Sequence, residues 1–301
     1  MAFQQQLVLF IMAFFMSLST YEHQVIALWE PPHTSPVAKV SKHTDSTKPL
    51  YSVQVISKYV RTYFFYTNFL IDIDTPFIWY NCILKWDMNP NSCPGNTICA
   101  SPISCEQHQC TDIRTSSSYN QYSSSCPPAT NSSMTLPSWS GCTCPVSIVD
   151  PVNGSCAEAL LNSAELFFNE PYMYGFYPNG ACAPSSSFDT FLANVSSVMA
   201  LSSNTFLSYI SDPYPSLYSL CFPSSVSNTG VFFLGSSSYY FSPNSDVDVR
   251  SYLTYTPLLK YPDSFGYFIG VKSIVIKKRA ITVSANTTTK LSTLEPYTCF
   301  D

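Results

Sequence analysis

One acidic residue stands where an aspartate is unfavourable unless it has a partner or a function. Asp72 lies in the run 70–79 (LIDIDTPFIW), with apolar residues on both sides. An unpaired carboxylate inside an apolar strand is costly, so Asp72 is a candidate functional group. A buried carboxyl group can act as a general acid or base, so acid–base chemistry is what Asp72 could support.

Other kinds of catalysis find little support in the sequence. Neither a G-x-S-x-G motif nor a P-loop is present. A serine or cysteine nucleophile would need a histidine base, and the four histidines lie either in a polar N-terminal arm or in a cysteine-rich segment. We therefore expect neither a histidine-based site nor a bound cofactor. The histidines are His23, His33, His43 and His108.

Composition excludes several classes of protein. Charged residues make up only 11% of the 301 residues, and the formal net charge is −5. This charge is spread thinly, so nucleic acid is not an expected partner. Hydrophobic residues make up 46%, which is too many for a disordered chain.

The N-terminus predicts a route out of the cell. Residues 7–16 form an apolar run of ten, too short for a membrane span of about 20 residues. Small residues follow it, as at a signal-peptide cleavage site, and we predict a signal peptide over 1–19. No later segment reaches 18 apolar residues, so no membrane anchor is expected after cleavage.

The cysteines favour the same compartment. Their number is even, and eight of the 12 lie between Cys82 and Cys144, which predicts a disulfide framework in an oxidising compartment. Zinc is the alternative, but no C-x-x-C occurs, so no metal is expected. Cysteines expected in disulfides are Cys82, Cys93, Cys99, Cys105, Cys110, Cys126, Cys142, Cys144, Cys156, Cys182 and Cys221, while Cys299 has no assigned role. N-x-S/T sequons predict glycosylation at Asn131, Asn153, Asn194 and Asn286.

Strands predominate in the hydrophobic pattern. Tyr51, Val53 and Val55 alternate with polar residues, which is typical of a half-buried strand. The cysteine-rich segment 82–144 is rich in Ser, Pro and Asn and is expected to be loop-like. Further strands are predicted over 62–79, 231–234, 253–259 and 267–276.

Two segments have helical spacing instead, and one carries a basic run. Apolar residues recur at helical intervals over 157–168 and again over 188–195. For Lys277-Lys278-Arg279, a solvated turn between two strands is favoured over a binding patch.

The residues around Asp72 resemble the first active-site motif of the pepsin-like aspartic peptidases. That motif has two apolar residues, Asp-Thr-Gly, and an apolar-Trp pair seven residues after the Asp, where Trp79 stands. Ile73 replaces the Thr and so lacks the hydroxyl that braces the paired loops in the family. Asp74 replaces the Gly and adds a second negative charge. Ser292 stands where the second catalytic Asp is expected, so the resemblance implies a degenerate and inactive site.

A closer resemblance is to the plant extracellular dermal glycoproteins and xylanase inhibitors. This branch of the pepsin fold has degenerate catalytic motifs and six disulfides. The resemblance implies an all-β, pepsin-like bilobal fold in which residues 157–168 form a strand and the second lobe is truncated. The expected division is a signal peptide at 1–19, a mature N-terminal arm at 20–50, an N-terminal lobe at 51–257 and the beginning of a C-terminal lobe at 258–301. Matching segments are 71–82, 181–185, 220–221, 231–235, 255–259, 267–274 and 290–298.

The resemblance also implies a function. It predicts a secreted, non-catalytic protein of the plant apoplast or cell wall, which binds and inhibits glycoside hydrolases of the xylanase or xyloglucanase type. An aspartic endopeptidase that uses Asp72 is the alternative. A structural or non-functional cell-wall glycoprotein fragment is a further one.

Overall fold

The computed structural model describes residues 35–44, 48–60, 63–85, 93–94, 97–129, 141–168, 173–189, 191, 194–202, 217–235, 237–240, 247–284 and 286–295. The predicted signal peptide, Asn131 and Cys299 lie outside these residues. Strands dominate the described part of the chain, which confirms the all-β prediction.

One large sheet holds thirteen of the described strands, in the order β10-β7-β5-β4-β11-β3-β2-β1-β13-β12 with β6, β8 and β9 attached at its side. Its bounds are β1 (Val37–His43), β2 (Leu50–Val60), β3 (Tyr63–Asp72), β4 (Ile78–Leu84), β5 (Ile98–Pro102), β6 (Pro145–Val149), β7 (Cys156–Ser163), β8 (Leu166–Phe168), β9 (Tyr174–Phe176), β10 (Asn179–Ala183), β11 (Val195–Ala200), β12 (Tyr218–Cys221) and β13 (Gly230–Leu234).

The segment expected as an N-terminal arm contributes to this sheet. β1 pairs antiparallel with β2 on one side and with β13 on the other. The boundaries of the arm and of the two lobes stay predictions.

At the centre of the sheet both faces are buried, which explains why the strands are almost continuously apolar there. Side chains alternate between the faces of a strand. Phe69 and Ile71 of β3 therefore pack in one core cluster, while Leu70 packs in another. Tyr80 and Trp79 of β4 divide between the two clusters in the same way. The end of β3, where Asp72 lies, is thus held from both sides.

A parallel strand fixes that end further. β11 lies between β3 and β4, parallel to β3 and antiparallel to β4. Its register places Met199 opposite Ile71 and Ala200 opposite Asp72. Two parallel strands can be joined only by a crossover connection, which here runs from residue 73 to residue 194. The position of Asp72 therefore depends on residues far away in the sequence.

The prediction of a loop over 82–144 was wrong in part. Besides β5, this segment contains the helices α1 (His108–Thr115) and α2 (Ser117–Tyr122). Ser116 caps α2 through a hydrogen bond from the Tyr119 N–H at 3.2 Å. The Tyr119 hydroxyl accepts a hydrogen bond from the Ser147 N–H at 2.8 Å and so ties α2 to β6. Tertiary contacts stabilise these helices, and their polar sequences alone do not predict them.

Helical spacing was also misleading at the other two segments. Residues 157–168 lie in β7 and β8, which confirms the strands implied by the family resemblance. β7 pairs with β6 on one side and β10 on the other, and this pairing overrides the helical spacing. Between 188 and 195 no α-helix is found in the described residues: a 3-10 helix (Ser185–Phe188) ends there and Val195 begins β11.

Five disulfides confirm the oxidised framework among the described cysteines. Cys221 was also expected in a disulfide, but it is an exposed free thiol in this structure. The other described cysteines are all paired with one another, so none of them is left to bond Cys221. The pairs are Cys82–Cys182, Cys93–Cys99, Cys105–Cys142, Cys110–Cys144 and Cys126–Cys156.

The C-terminal part forms two small sheets. One joins β14 (Leu258–Leu259), β15 (Tyr267–Gly270) and β18 (Thr288–Leu291), so only the end of the strand predicted over 253–259 is found. The other joins β16 (Ser273–Ile276) and β17 (Arg279–Thr282). Lys277 and Lys278 form the turn between β16 and β17, as predicted. Phe265 and Leu294 pack against the core of the large sheet and anchor this part of the chain. In the described residues no helix is long and apolar enough to cross a membrane.

Candidate functional site

Asp72 is buried at the end of β3. Only 5% of its surface is exposed. Its carboxylate oxygen Oδ1 accepts a hydrogen bond from the Asp74 N–H at 2.8 Å. Its carbonyl oxygen accepts another from the Leu201 N–H at 3.0 Å. The first bond holds the carboxylate of Asp72, and the second holds its backbone.

The surroundings of Asp72 favour its protonated form. The pKa of Asp72 is raised to about 7, chiefly by burial and also by the nearby Asp74 carboxylate. The hydrogen bond from Asp74 N–H and the charge of Lys290 act in the opposite direction. Near neutral pH the carboxyl group is therefore divided between its two protonation states.

An ion pair that sequence reasoning missed lies beside Asp72. β18 carries Lys290, whose Nζ lies 3.0 Å from Oδ2 of Asp74. The other Asp74 oxygen, Oδ1, is buried without a hydrogen-bond partner. Burial raises the pKa of Asp74, while Lys290 opposes that shift. The charge of Asp74, which stands in place of the family's glycine, is thus balanced by a lysine from the segment that contains Ser292.

Gly266 makes room for this ion pair. A Cβ atom at Gly266 would lie 2.5 Å from Cε of Lys290 and 2.7 Å from Oδ1 of Asp74. At contacts that short the neighbouring atoms must move, so a larger residue would displace the side chains of Lys290 and Asp74 from their present positions.

Ser292 makes a turn like the one at Asp72. Its Oγ accepts hydrogen bonds from the N–H groups of Leu294 and Glu295 at 3.1 and 3.2 Å. The contact two residues ahead repeats the contact of Asp72 with Asp74 N–H. The backbone turn of a second aspartate is kept, but a hydroxyl cannot share a proton as a carboxylate does.

A buried hydrogen bond joins the two motif segments. Thr293 donates its hydroxyl to the carbonyl oxygen of Ile71 at 2.8 Å. Ile73, on the other segment, lies in the apolar core and has no hydroxyl to return such a bond. The hydroxyl of Thr293 therefore makes its hydrogen bond between the two segments, while on the other segment apolar packing of Ile73 takes the place of such a bond. The threonine that follows Ser292 is the feature of the sequence from which this hydrogen bond could have been predicted.

Two tyrosines, Tyr218 on β12 of the large sheet and Tyr267 on β15 of the C-terminal sheet, meet at the same place. The hydroxyls of Tyr218 and Tyr267 both donate to the carbonyl oxygen of Leu201, at 2.9 and 2.8 Å. Leu201 in turn donates its N–H to Asp72. The structure thus brings the segments of Asp72 and Ser292 together around one set of backbone bonds.

The sequons in the described residues lie at the surface. Asn153, Asn194 and Asn286 are exposed, and Asn194 and Asn286 have positive φ angles of 70° and 76°. An exposed turn is accessible to a glycan, so this placement is compatible with the predicted glycosylation, which stays a prediction.

Known structures share this architecture. EDGP matches with a TM-score of 0.57 and 21% identity over 85% of this chain and 62% of its own. Conglutin gamma, a basic 7S globulin from lupine seeds, matches with a TM-score of 0.55 and 20% identity over 83% and 63%. Soybean basic 7S globulin matches with a TM-score of 0.54 and 18% identity over 82% and 61%. The chain has the pepsin-like fold.

Sequence comparison gives a shorter match. A protein of Nicotiana benthamiana named "Probable aspartic proteinase GIP2" is 33% identical over 110 residues, which is 29% of this chain and 24% of that protein. No family model matches the chain. Together these matches confirm the resemblance to the extracellular dermal glycoprotein branch of the pepsin-like fold. The chain spans about three fifths of the length of the solved structures it matches.

Proposed function

We propose that this pepsin-like protein is a non-catalytic binding protein, which binds and inhibits glycoside hydrolases of the xylanase or xyloglucanase type. Fold alone does not decide function, so the site has to carry the argument. The resemblance to the extracellular dermal glycoprotein and xylanase-inhibitor branch supplies the target class.

The observation that carries the non-catalytic part is the chemistry at position 292. A peptidase of this fold needs two carboxylates that share one proton. Asp72 supplies one, while Ser292 offers a hydroxyl whose oxygen already accepts two backbone hydrogen bonds. The nearest other carboxylate, Asp74, is paired with Lys290 at 3.0 Å. Asp72 is therefore left as a single carboxyl group, and a single carboxyl group cannot form the pair that peptidase catalysis needs.

An aspartic endopeptidase is the second candidate. The name of the Nicotiana benthamiana relative favours it, and so does the pKa of about 7 that burial gives Asp72, which suits a general acid or base. It requires a second acid group from a residue that the fold does not supply at the expected place.

Secretion to the apoplast or cell wall belongs to the same proposal. The five disulfides are typical of an oxidising compartment, and the exposed sequons fit passage through the secretory route. A structural cell-wall role without a target enzyme is the outcome if neither activity is found.

Two assays on the purified chain separate these functions. The first follows cleavage of a protein substrate between pH 2 and 7, with and without pepstatin. The second follows hydrolysis of xylan and xyloglucan by microbial enzymes at increasing concentrations of the protein. We expect no cleavage and a dose-dependent loss of glycoside hydrolysis.

The variant Asp72→Ala is the matched control. It removes the one carboxylate that a peptidase would need, and it leaves the exposed surface almost unchanged because Asp72 is buried. Inhibition should therefore persist in this variant. Pepstatin-sensitive cleavage that Asp72→Ala abolishes would contradict the proposal and establish the peptidase.

A further inference from the structure

A cavity of about 160 Å³ opens between the β6–β7 hairpin and the 3-10 helix that begins at Ser185. Its lining residues come from this hairpin, from β4 and from the helix with its N-cap Pro184, and among the described residues none comes from the small C-terminal sheets. β7 pairs with β6 and β10, and β10 pairs with β4, so the strands that form its walls are held to one another. The cavity is therefore a feature of the large sheet.

The bottom of the cavity holds a polar atom that lacks a partner. The side chain of Trp79 is fully buried, and within the described part of the chain its indole Nε1 forms no hydrogen bond. The rings of Phe188 and Phe191 pack against the indole, with centroids 5.1 and 5.5 Å away. A buried indole N–H normally finds an acceptor, because leaving it unpaired is unfavourable. An acceptor inside the cavity that Trp79 lines would supply the missing bond.

A buried carboxylate lines the same cavity. Only 5% of Asp150 is exposed. Its Oδ1 accepts hydrogen bonds from the N–H groups of Val152 at 2.7 Å and Asn153 at 3.4 Å. The backbone N–H of Asp150 donates to the carbonyl oxygen of Ser155 at 2.8 Å. These bonds fix the carboxylate at the end of β6, and since an ionised carboxylate only accepts hydrogen bonds, it favours a ligand that donates one.

The opening of the cavity is polar, and its walls are partly apolar. Ser155 and Ser186 are exposed there, and a hydroxyl group can both donate and accept hydrogen bonds. Ile148, Ala157 and Pro184 supply apolar contact. The cavity therefore suits a ligand that has polar groups on several sides and an apolar face.

These groups together limit the chemistry of the ligand. A cation would pair with Asp150 but could not accept a hydrogen bond from the indole of Trp79. An anion could accept that bond but would be repelled by the carboxylate. An apolar molecule would leave both groups unpaired away from water. The ligand must therefore be neutral and carry both donors and acceptors.

The size of the cavity narrows the choice further. Its volume is close to the roughly 150 Å³ that accommodates a six-membered ring in a protein interior. A primary amide also has a donor and an acceptor, but it is smaller than the cavity. We propose that the cavity binds one neutral sugar ring, with hydroxyl groups that accept from Trp79 and donate to Asp150. This site shares no residue with the segments of Asp72 and Ser292 and does not depend on the proposed function.

Titration of the complete chain with methyl β-xylopyranoside and methyl β-glucopyranoside tests the site. The chain is produced without N-linked glycans, because Asn153, a predicted glycosylation site, lies on the turn beside the cavity. Binding is followed through the indole N–H resonances of the four tryptophans in NMR spectra. We expect one resonance to shift downfield in a saturable way as its N–H gains an acceptor, and its absence from Trp79→Phe assigns it.

Variants separate the sugar site from the folding of the chain. Asp150→Asn keeps an oxygen that accepts from Val152 N–H but removes the charge, so sugar binding should weaken by at least about tenfold. Ala157→Leu fills part of the cavity and should abolish the shift while the chain stays folded, as thermal unfolding would show. Asp189→Asn makes the same change as Asp150→Asn at an exposed aspartate outside the cavity, and it should bind like the unmodified chain.

Several results would overturn this proposal. No shift at high sugar concentration would mean that the cavity holds ordered water only. An equal shift with glycerol would show that no ring is selected. Tighter binding of acetate, methylammonium or acetamide than of either glycoside would assign the cavity to a charged or amide ligand, and unchanged binding by Ala157→Leu would place the sugar elsewhere. None of these results bears on glycoside hydrolase inhibition, which is measured separately.

Discussion

Lys290 and Asp74 form an ion pair between the two motif segments, with Nζ of Lys290 lying 3.0 Å from Oδ2 of Asp74. Asp74 stands where the family pattern has glycine, and Lys290 lies two residues before Ser292, where the pattern has aspartate. One departure from the peptidase pattern, Asp74, is therefore in direct contact with the residue two positions before another departure, Ser292. The charge that would disturb a catalytic dyad is balanced by a lysine, and it holds the two segments together instead.

The ion pair should contribute modestly to stability. Lys290→Met leaves the Asp74 carboxylate without a counter-ion, so the free energy of unfolding should fall by about 1 kcal/mol, because the lysine side chain is 43% exposed. Urea denaturation at pH 8 measures this change. Adding Asp74→Asn to Lys290→Met should restore most of the loss, and additive effects in this double-mutant cycle would contradict the pair.

Asp72 should make stability depend on pH in an unusual direction. Its pKa is raised to about 7 in the folded protein, above the value of 3.8 for an unperturbed Asp, so the folded state binds more protons between about pH 4 and 7. Its contribution is therefore most favourable at low pH, is lost as pH rises through this window and is constant above it. Asp72→Asn, which keeps an acceptor for Asp74 N–H, should remove this dependence.

The difference between Asp72→Asn and wild type is the measurement. At pH 8 the variant should be more stable by up to about 4 kcal/mol, and at pH 4 the two should be nearly equal. Denaturation at intervals across this range cancels the contributions of the other titrating groups. A difference that does not change with pH would show that Asp72 is not buried as described.

Thr293 should contribute through one buried hydrogen bond. Thr293→Val keeps the shape of the side chain but removes the donor at 2.8 Å from the Ile71 carbonyl oxygen, so unfolding should become easier by about 1–3 kcal/mol. Thr293→Ser keeps the hydroxyl and is the matched control, expected to lose less. Equal losses in the two variants would attribute the effect to packing.

The disulfides should differ in their contribution according to the loop that each closes. Cys82–Cys182 joins residues 100 apart, while Cys93–Cys99 joins residues six apart. Replacing both cysteines by alanine should lower stability by about 4–5 kcal/mol in the first case and about 2 kcal/mol in the second, if loop entropy dominates. Thermal unfolding of the two double variants provides the comparison, and the reverse order would reject this account.

Local sequence was sufficient where a strand or a turn depends on nearby residues. Alternation at Tyr51 and Val53 predicted β2, and the run 70–79 marked the candidate site. The lysine turn was predicted because apolar strands flank it on both sides. Family resemblance added the strands over 157–168, where spacing alone favoured a helix.

The rest depended on contacts between distant residues. Lys290 reaches Asp74 because β18 is carried to the end of β3, and nothing near either residue in the sequence signals that meeting. α1 is short and polar, and tertiary contacts hold it, including the disulfide of Cys110 with Cys144. The pairing of Cys221 was expected from the count of cysteines, and counting cannot decide which thiol stays free.

The pairing of β1 with β13 has a consequence for how the protein forms in the cell. Val37 lies opposite Phe233, so β1 cannot pair with β13 until almost the whole lobe has left the ribosome. At the usual rates of synthesis that delay is on the order of ten seconds or more. During it, the edge of β1 is open, and we expect the nascent chain to need chaperone protection until β13 arrives.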